Sequence, residues 1–151
     1  MAKKPHKDAG HAMEATTELD DSAVAALAVD AAAAARTNFG LRTGWASVQV
    51  DDAKPGGLSM SVRGPGGSSV LLAFVLEAAP HRNGQTMLRT RITSYGTRQE
   101  TLFYLIPVGP KRMTGIQNYR KFIDEFGQRL RAADSSAAFI HDARTAVRSE
   151  V

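Results

Sequence analysis

Four histidines, His6, His11, His81 and His141, are the side chains best suited to hold a transition metal in a chain without cysteine. No two of them stand at the three- or four-residue spacing that sets a pair of imidazoles on one helix face. They are expected on surface tails and turns, with no metal site and no cofactor. Nucleophilic chemistry finds no better footing. No serine occupies a Gly-x-Ser-x-Gly turn, and no carboxylate pair at strand ends has a histidine to match it. Asp51 and Asp52 close a strand ahead of a turn, where acidic residues solvate and turn the chain. The run Gly64–Pro65–Gly66–Gly67–Ser68 is glycine-rich, but it lacks a phosphate-loop lysine and precedes a strand, so it is expected to be a hairpin turn. No catalytic residue is assigned.

Binding chemistry has more to work with. Arg89, Arg91 and Tyr95 share one face of a predicted strand with Met87; Arg98 follows in the next turn, and Lys111 and Arg112 sit before the last helix. Arginines beside an aromatic ring hold phosphate and stack a base. Charge is distributed to match: residues 80–131 carry ten basic and three acidic side chains, a net +7, whereas residues 8–79 carry four and nine, a net −5. A basic surface of this kind admits nucleic acid or another acidic partner. The outer face of a one-layer sheet is polar in any case, and solvated arginines are the plainer reading.

The elements that would position these residues follow from periodicity. Residues 1–11, with three lysines, a proline and a glycine, read as a disordered tail. Residues 12–19 make a short candidate strand with Met13, Ala15, Thr17 and Leu19 on one side. Asp20–Asp21–Ser22 supplies N-cap chemistry, and Val24, Leu27, Ala28, Ala31 and Ala35 form a helical stripe that Asn38 and Gly40 end. Trp45–Asp51, Leu58–Arg63, Ser69–Ala79 and Thr86–Tyr95 read as strands joined by Gly- and Pro-rich turns, with Gln99–Ile106 as a last apolar strand before Pro107 and Pro110 break the sheet. Short connections imply an antiparallel meander. Ile116, Tyr119, Ile123, Phe126 and Leu130, with Phe122 beside them, mark a helix over about residues 114–133, opposite a face of Asn118, Lys121, Asp124, Glu125, Gln128 and Arg131. Residues 134–151 read as a tail or a short helix.

Strand, helix, antiparallel strands and one long C-terminal amphipathic helix: over residues 12–133 this order resembles the helix-grip fold of the START/polyketide-cyclase-like (SRPBCC) superfamily. Asp20–Asp21–Ser22 with Val24-x-x-Leu27 looks like the family's opening. Gly84–Gln85–Thr86–Met87–Leu88 is similar to its hairpin entry, and Ile106–Pro107–Val108–Gly109–Pro110–Lys111 to short actinobacterial members. The chain has one helix after the first strand and an expected strand fewer than the family. The resemblance implies an α+β domain in which a curved antiparallel sheet of five to six strands wraps the last helix.

It also implies a site. If the sheet curls around that helix, Trp45, Met60, Phe74, Leu88, Phe103, Tyr119, Phe122 and Phe126 line the gap, and Tyr119 and Trp45, with polar tips, would orient what is bound. The gap holds a small hydrophobic or amphipathic ligand, or those same side chains close it. The expected function is non-enzymatic binding of such a molecule. A basic-surface module for nucleic acid is the alternative, and a cyclase- or isomerase-like enzyme working through pocket shape is a third. The longest apolar run outside the alanine tract is Val70–Leu76, too short to span a bilayer, and with no cysteine a cytoplasmic protein is expected.

Overall fold

The computed structural model describes residues 6–40, 44–67, 69–102 and 105–140. The chain is α+β, a curved and open antiparallel sheet with two helices. Its elements are β1 (Glu14–Thr17), α1 (Asp21–Ala34), β2 (Thr37–Gly40), β3 (Gly44–Lys54), β4 (Gly57–Arg63), β5 (Val70–Pro80), β6 (Thr86–Tyr95), β7 (Thr97–Leu102), β8 (Ile106–Met113), α2 (Ile116–Ala133) and β9 (Ala138–Ile140). Six strands run in the order β2-β3-β4-β5-β6-β1, and the three-residue β9 adds to the edge at β1. The four central strands are the expected meander. β1 closes its far side, pairing with β6 so that Ala15 lies opposite Leu88.

Alternation decides which face of the sheet meets α2. Val48, Leu58, Met60, Val62, Leu72, Phe74, Leu76 and Leu88 are buried. The register stacks them in rows across the strands: Val48, Val62 and Leu72 form one, and Met60, Phe74 and Ile92 another. Such rows give the helix a continuous apolar floor. From α2 the predicted stripe of Tyr119, Phe122, Ile123, Phe126 and Leu130 enters this floor. The first helix begins where the acidic cluster places it: Asp20 is the N-cap, its carboxylate accepting from the Ala23 amide at 2.8 Å. Val24, Ala28, Ala31 and Ala32 are its buried side, small enough to let α1 lie close against α2.

Several expectations need correction. The last apolar strand is not part of the sheet: β7 and β8 form a separate two-stranded ribbon, with the exposed Leu105 and Ile106 near its turn. Pro107 and Pro110 lie inside β8 rather than breaking the sheet. Each strand of an isolated pair has one unpaired edge, so a missing N–H costs nothing when it faces outward. α1 ends at Ala34, and residues 37–40, read as its stop, form β2. Asn118, assigned to the outer face of α2, is buried; its amide donates to the carbonyls of Ala35 at 3.2 Å and Ala46 at 3.1 Å, tying α2 to the end of α1 and the start of β3. Residues 134–140 are a turn followed by β9, where a tail or short helix was expected, and residues 141–151 lie outside the described residues. Phe139 of β9 packs beside α2 with the Arg131 guanidinium 5.2 Å over its ring.

The turn into β9 is organised by one carboxylate. Asp134 accepts from the Ser136 hydroxyl at 2.6 Å and amide at 3.0 Å, from the Thr17 hydroxyl at 2.7 Å, and from the Glu18 amide at 2.8 Å. The Ser136 hydroxyl first, then that of Thr17 and the Glu18 amide, hold its carboxyl well below the ordinary carboxylate range. A group depressed in the folded chain contributes stability that is full above its unfolded pKa and is lost as pH falls toward the folded value. Urea melts of wild type and Asp134→Ala should therefore differ fully at neutral pH, and the difference should shrink as the pH drops below about 4. A difference independent of pH would assign the loss to packing instead.

Candidate functional site

Among the described residues, side chains fill the gap between sheet and helix. Of the eight residues expected to line it, Met60, Phe74, Leu88, Tyr119, Phe122 and Phe126 are each at most 1% exposed. Phe74 meets Tyr119 at 4.9 Å between ring centroids and Phe122 at 5.3 Å, and Phe122 stacks on Phe126 at 5.8 Å. The side chain of Trp45 and the whole of Phe103 lie outside the described residues. Open clefts occur elsewhere: one between α1 and the sheet, lined by Val24, Ala25, Gly57, Leu58, Leu76 and Ala78 among others, and one on the outer side of α2 at Gly127, Arg131 and Phe139. Neither is lined by the gap's aromatic residues.

What closes the gap at the Tyr119 end is the segment 6–13; for residues 6–11 this corrects the reading of a disordered tail over 1–11, while residues 1–5 lie outside the described residues. Residues 6–13 form a strap, in which Asp8, His11, Ala12 and Met13 are buried. Met13 continues β1 past its end, accepting from the Thr90 amide at 3.0 Å and donating its own amide to the Thr90 hydroxyl at 2.8 Å. The His11 ring, expected on the surface, sits edge-on to Tyr119 at 5.3 Å. The chain then turns back so that the His6 amide donates to the Tyr95 hydroxyl at 2.9 Å.

Under the strap lies a polar relay at the edge of the aromatic wall. The Tyr119 hydroxyl donates to the His11 carbonyl at 3.0 Å. Its 2.6 Å contact with the Thr90 hydroxyl then has Thr90 as donor. The order Met13 amide, Thr90 hydroxyl, Tyr119 hydroxyl, His11 carbonyl runs from strap to sheet to helix and back to strap. Aligned bonds of this kind polarise one another in a low dielectric. Next along α2, Arg120 Nη2 holds Asp8 Oδ1 at 3.1 Å, and the Asp8 carboxylate also stands 3.6 Å from His6 Nδ1. Tyr119 was legible as a site residue from its place in the stripe. Thr90, His11, Asp8 and Arg120 were not, because nothing in their own neighbourhoods marks them.

The basic face is a different arrangement from the one expected. Arg89 pairs with its register partner Glu14 at 3.6 Å, and Arg91 with Glu77, diagonal to it on β5, at 3.1 Å. Tyr95 is turned to the strap rather than to solvent partners. Arg98 and Arg112 face each other in the β7–β8 register, with Lys111 beside them in sequence; the side chains of these three lie outside the described residues. Among the described side chains, Arg89 and Arg91 are each held by a carboxylate and Tyr95 bonds to the strap. The Asp51–Asp52 pair is likewise divided, Asp51 to Arg63 at 3.1 Å and Asp52 to Lys54 at 3.5 Å. Among the described residues, no group of three histidine, aspartate or glutamate side chains is placed to hold a metal, and no helix is long and apolar enough to cross a membrane. Comparison of the chain with protein-family models, curated proteins and solved structures finds no match.

Proposed function

We propose that the chain is a non-enzymatic binding protein for a small amphipathic molecule, taken up between the sheet and α2 at the end covered by the strap. The observation that carries this reading is the Thr90–Tyr119 hydroxyl pair, buried at the edge of the Phe74–Phe122–Phe126 aromatic wall. A few convergent polar groups in an apolar setting are what orient a ligand in such sites. Among the described residues, much of the gap is bounded by the sheet and the two helices. At this end it is bounded by residues 6–13, which form turns and extended chain rather than a helix or a sheet strand, the kind of segment that opens at low cost. The resemblance to the START/polyketide-cyclase-like helix-grip proteins supports the same reading and extends it to membership of that superfamily. The paired arginines of the outer face offer nothing comparable to a nucleic acid.

Native mass spectrometry of gently purified protein is the direct test. A fraction of the molecules should carry a discrete added mass that is lost on denaturation. The protein should also bind a naphthalene sulfonate dye while its thermal melt stays cooperative, since dye binding by a loosened chain does not report a concave site. A chain that carries no added mass and binds no dye while melting cooperatively would overturn the proposal.

A further inference from the structure

We propose that the strap occupies the ligand's own place, with the Asp8 carboxylate standing where a ligand's carboxylate would lie, and that the ligand is an amphipathic carboxylic acid. This rests on the binding site proposed above and names what it takes.

Three observations bear on it. Asp8 is only 8% exposed, and an aspartate is rarely so covered unless a cation holds it. One cation that holds it is Arg120, a half-exposed residue next to Tyr119 on α2, so neighbouring positions of one helical turn bring a guanidinium and a phenol hydroxyl to the strap. A guanidinium there is a ready-made carboxylate receptor, its planar fork able to bind a carboxylate in a two-pronged manner. The strap's own order then mimics a ligand from head to tail. Asp8 meets Arg120, the His11 carbonyl meets the Tyr119 hydroxyl, and Ala12 and Met13 carry apolar bulk into the core. A fatty or aryl-alkyl acid offers the two ends of this succession: an anionic head for Arg120 and an apolar body to replace Met13.

Competition follows from this overlap. The strap's bonds to the body include those at Thr90, Tyr119, Tyr95 and Arg120, and residues 6–13 form turns and extended chain rather than a helix or a central strand. The ligand binds only the fraction of molecules with the strap released, and its apparent affinity is reduced by that fraction. Weakening the strap should therefore tighten binding, the reverse of what loss of a contact residue normally does.

The test uses the full-length protein and two probes of equal chain length, dodecanoate and dodecanol, measured by isothermal titration calorimetry. Wild type should bind dodecanoate in preference to dodecanol. Asp8→Ala should bind dodecanoate about ten-fold more tightly than wild type, as release of the strap raises the competent fraction. Arg120→Gln should bring the acid-to-alcohol preference close to one, whatever it does to the strap. Thermal melts establish that each variant is folded; if Asp8→Ala is not, Asp8→Asn, which keeps the side-chain size, should shift binding in the same direction by less. Equal binding of acid and alcohol in wild type and Asp8→Ala would overturn the carboxylate assignment and leave the binding site standing. Unchanged dodecanoate affinity in folded Asp8→Ala would overturn the competition. Binding of neither probe by any folded variant would overturn the site itself.

Discussion

Phe126→Ala is expected to destabilise the protein by about 3–5 kcal/mol, the cost of lost transfer energy and a residual cavity when a buried aromatic is truncated. Phe126 is fully buried and stacked on Phe122, so neighbours on both sides are already in contact with something and cannot close the void by small shifts. Tyr119→Ala should cost as much, because its ring is equally buried and rests on Phe74. The comparison is informative through a third variant. Tyr119→Phe keeps the ring and removes the hydroxyl, leaving the His11 carbonyl without its donor and Thr90 without its acceptor. The loss should be about 1–3 kcal/mol. Lys121→Ala, on the exposed face one turn away, should change stability by less than about 0.5 kcal/mol. Urea melts giving equal losses for Phe126→Ala and Lys121→Ala would contradict the placement of α2, and a Tyr119→Phe melt identical to wild type would contradict the relay.

How far the sequence foretold this follows from where each signal resides. The faces of β4, β5 and β6 and the buried stripe of α2 are periodic, and periodicity is a local property, so Met60, Phe74, Leu88, Phe122 and Phe126 were legible as interior residues. The Asp20 cap was legible for the same reason. The strap was not. Its composition is that of a solvated tail, and its burial depends on Thr90, Tyr95, Tyr119 and Arg120, which are 77 to 112 residues away in the chain. Asn118 shows the limit in a different form. By polarity it belongs to the outer face, yet two backbone carbonyls at the end of α1 and the start of β3 need a donor there, and a buried amide supplies it. Pro107 and Pro110 misled because a proline that ends a strand inside a sheet is harmless in a two-stranded ribbon. A gap read as either a pocket or a core turned out to be filled along the aromatic wall, and its one polar end is closed by residues that no local pattern would have placed there.

Gly115→Ala should be the most damaging change outside the aromatic core, at about 2–4 kcal/mol. Gly115 is the N-cap of α2, with φ of 79° and ψ of −2°, a left-handed conformation that an L side chain adopts at a cost of about 1–2 kcal/mol. Its carbonyl accepts the Tyr119 amide at 3.1 Å, so this conformation also starts the first turn of the helix. A second cost comes from space. A Cβ at this position would lie 3.2 Å from Leu72 Cβ, 3.2 Å from Val62 Cγ1 and 3.3 Å from Leu71 Cβ. Val62 and Leu72 are paired across β4 and β5; the two leucine Cβ atoms adjoin backbone that the sheet holds in register and the third belongs to a short β-branched side chain, so none yields as the end of a long side chain would. Overpacking of this kind typically adds about 1–3 kcal/mol. Gly66→Ala separates the two contributions. Gly66 has nearly the same φ, 82°, but nothing stands within 4 Å of where its Cβ would be. It should lose only the backbone share, about 1–2 kcal/mol. Equal losses in urea melts of the two variants would mean that α2 does not approach the sheet as closely as described; a larger loss for Gly115→Ala, with α2 intact by circular dichroism, would fix the helix start against Val62 and Leu72.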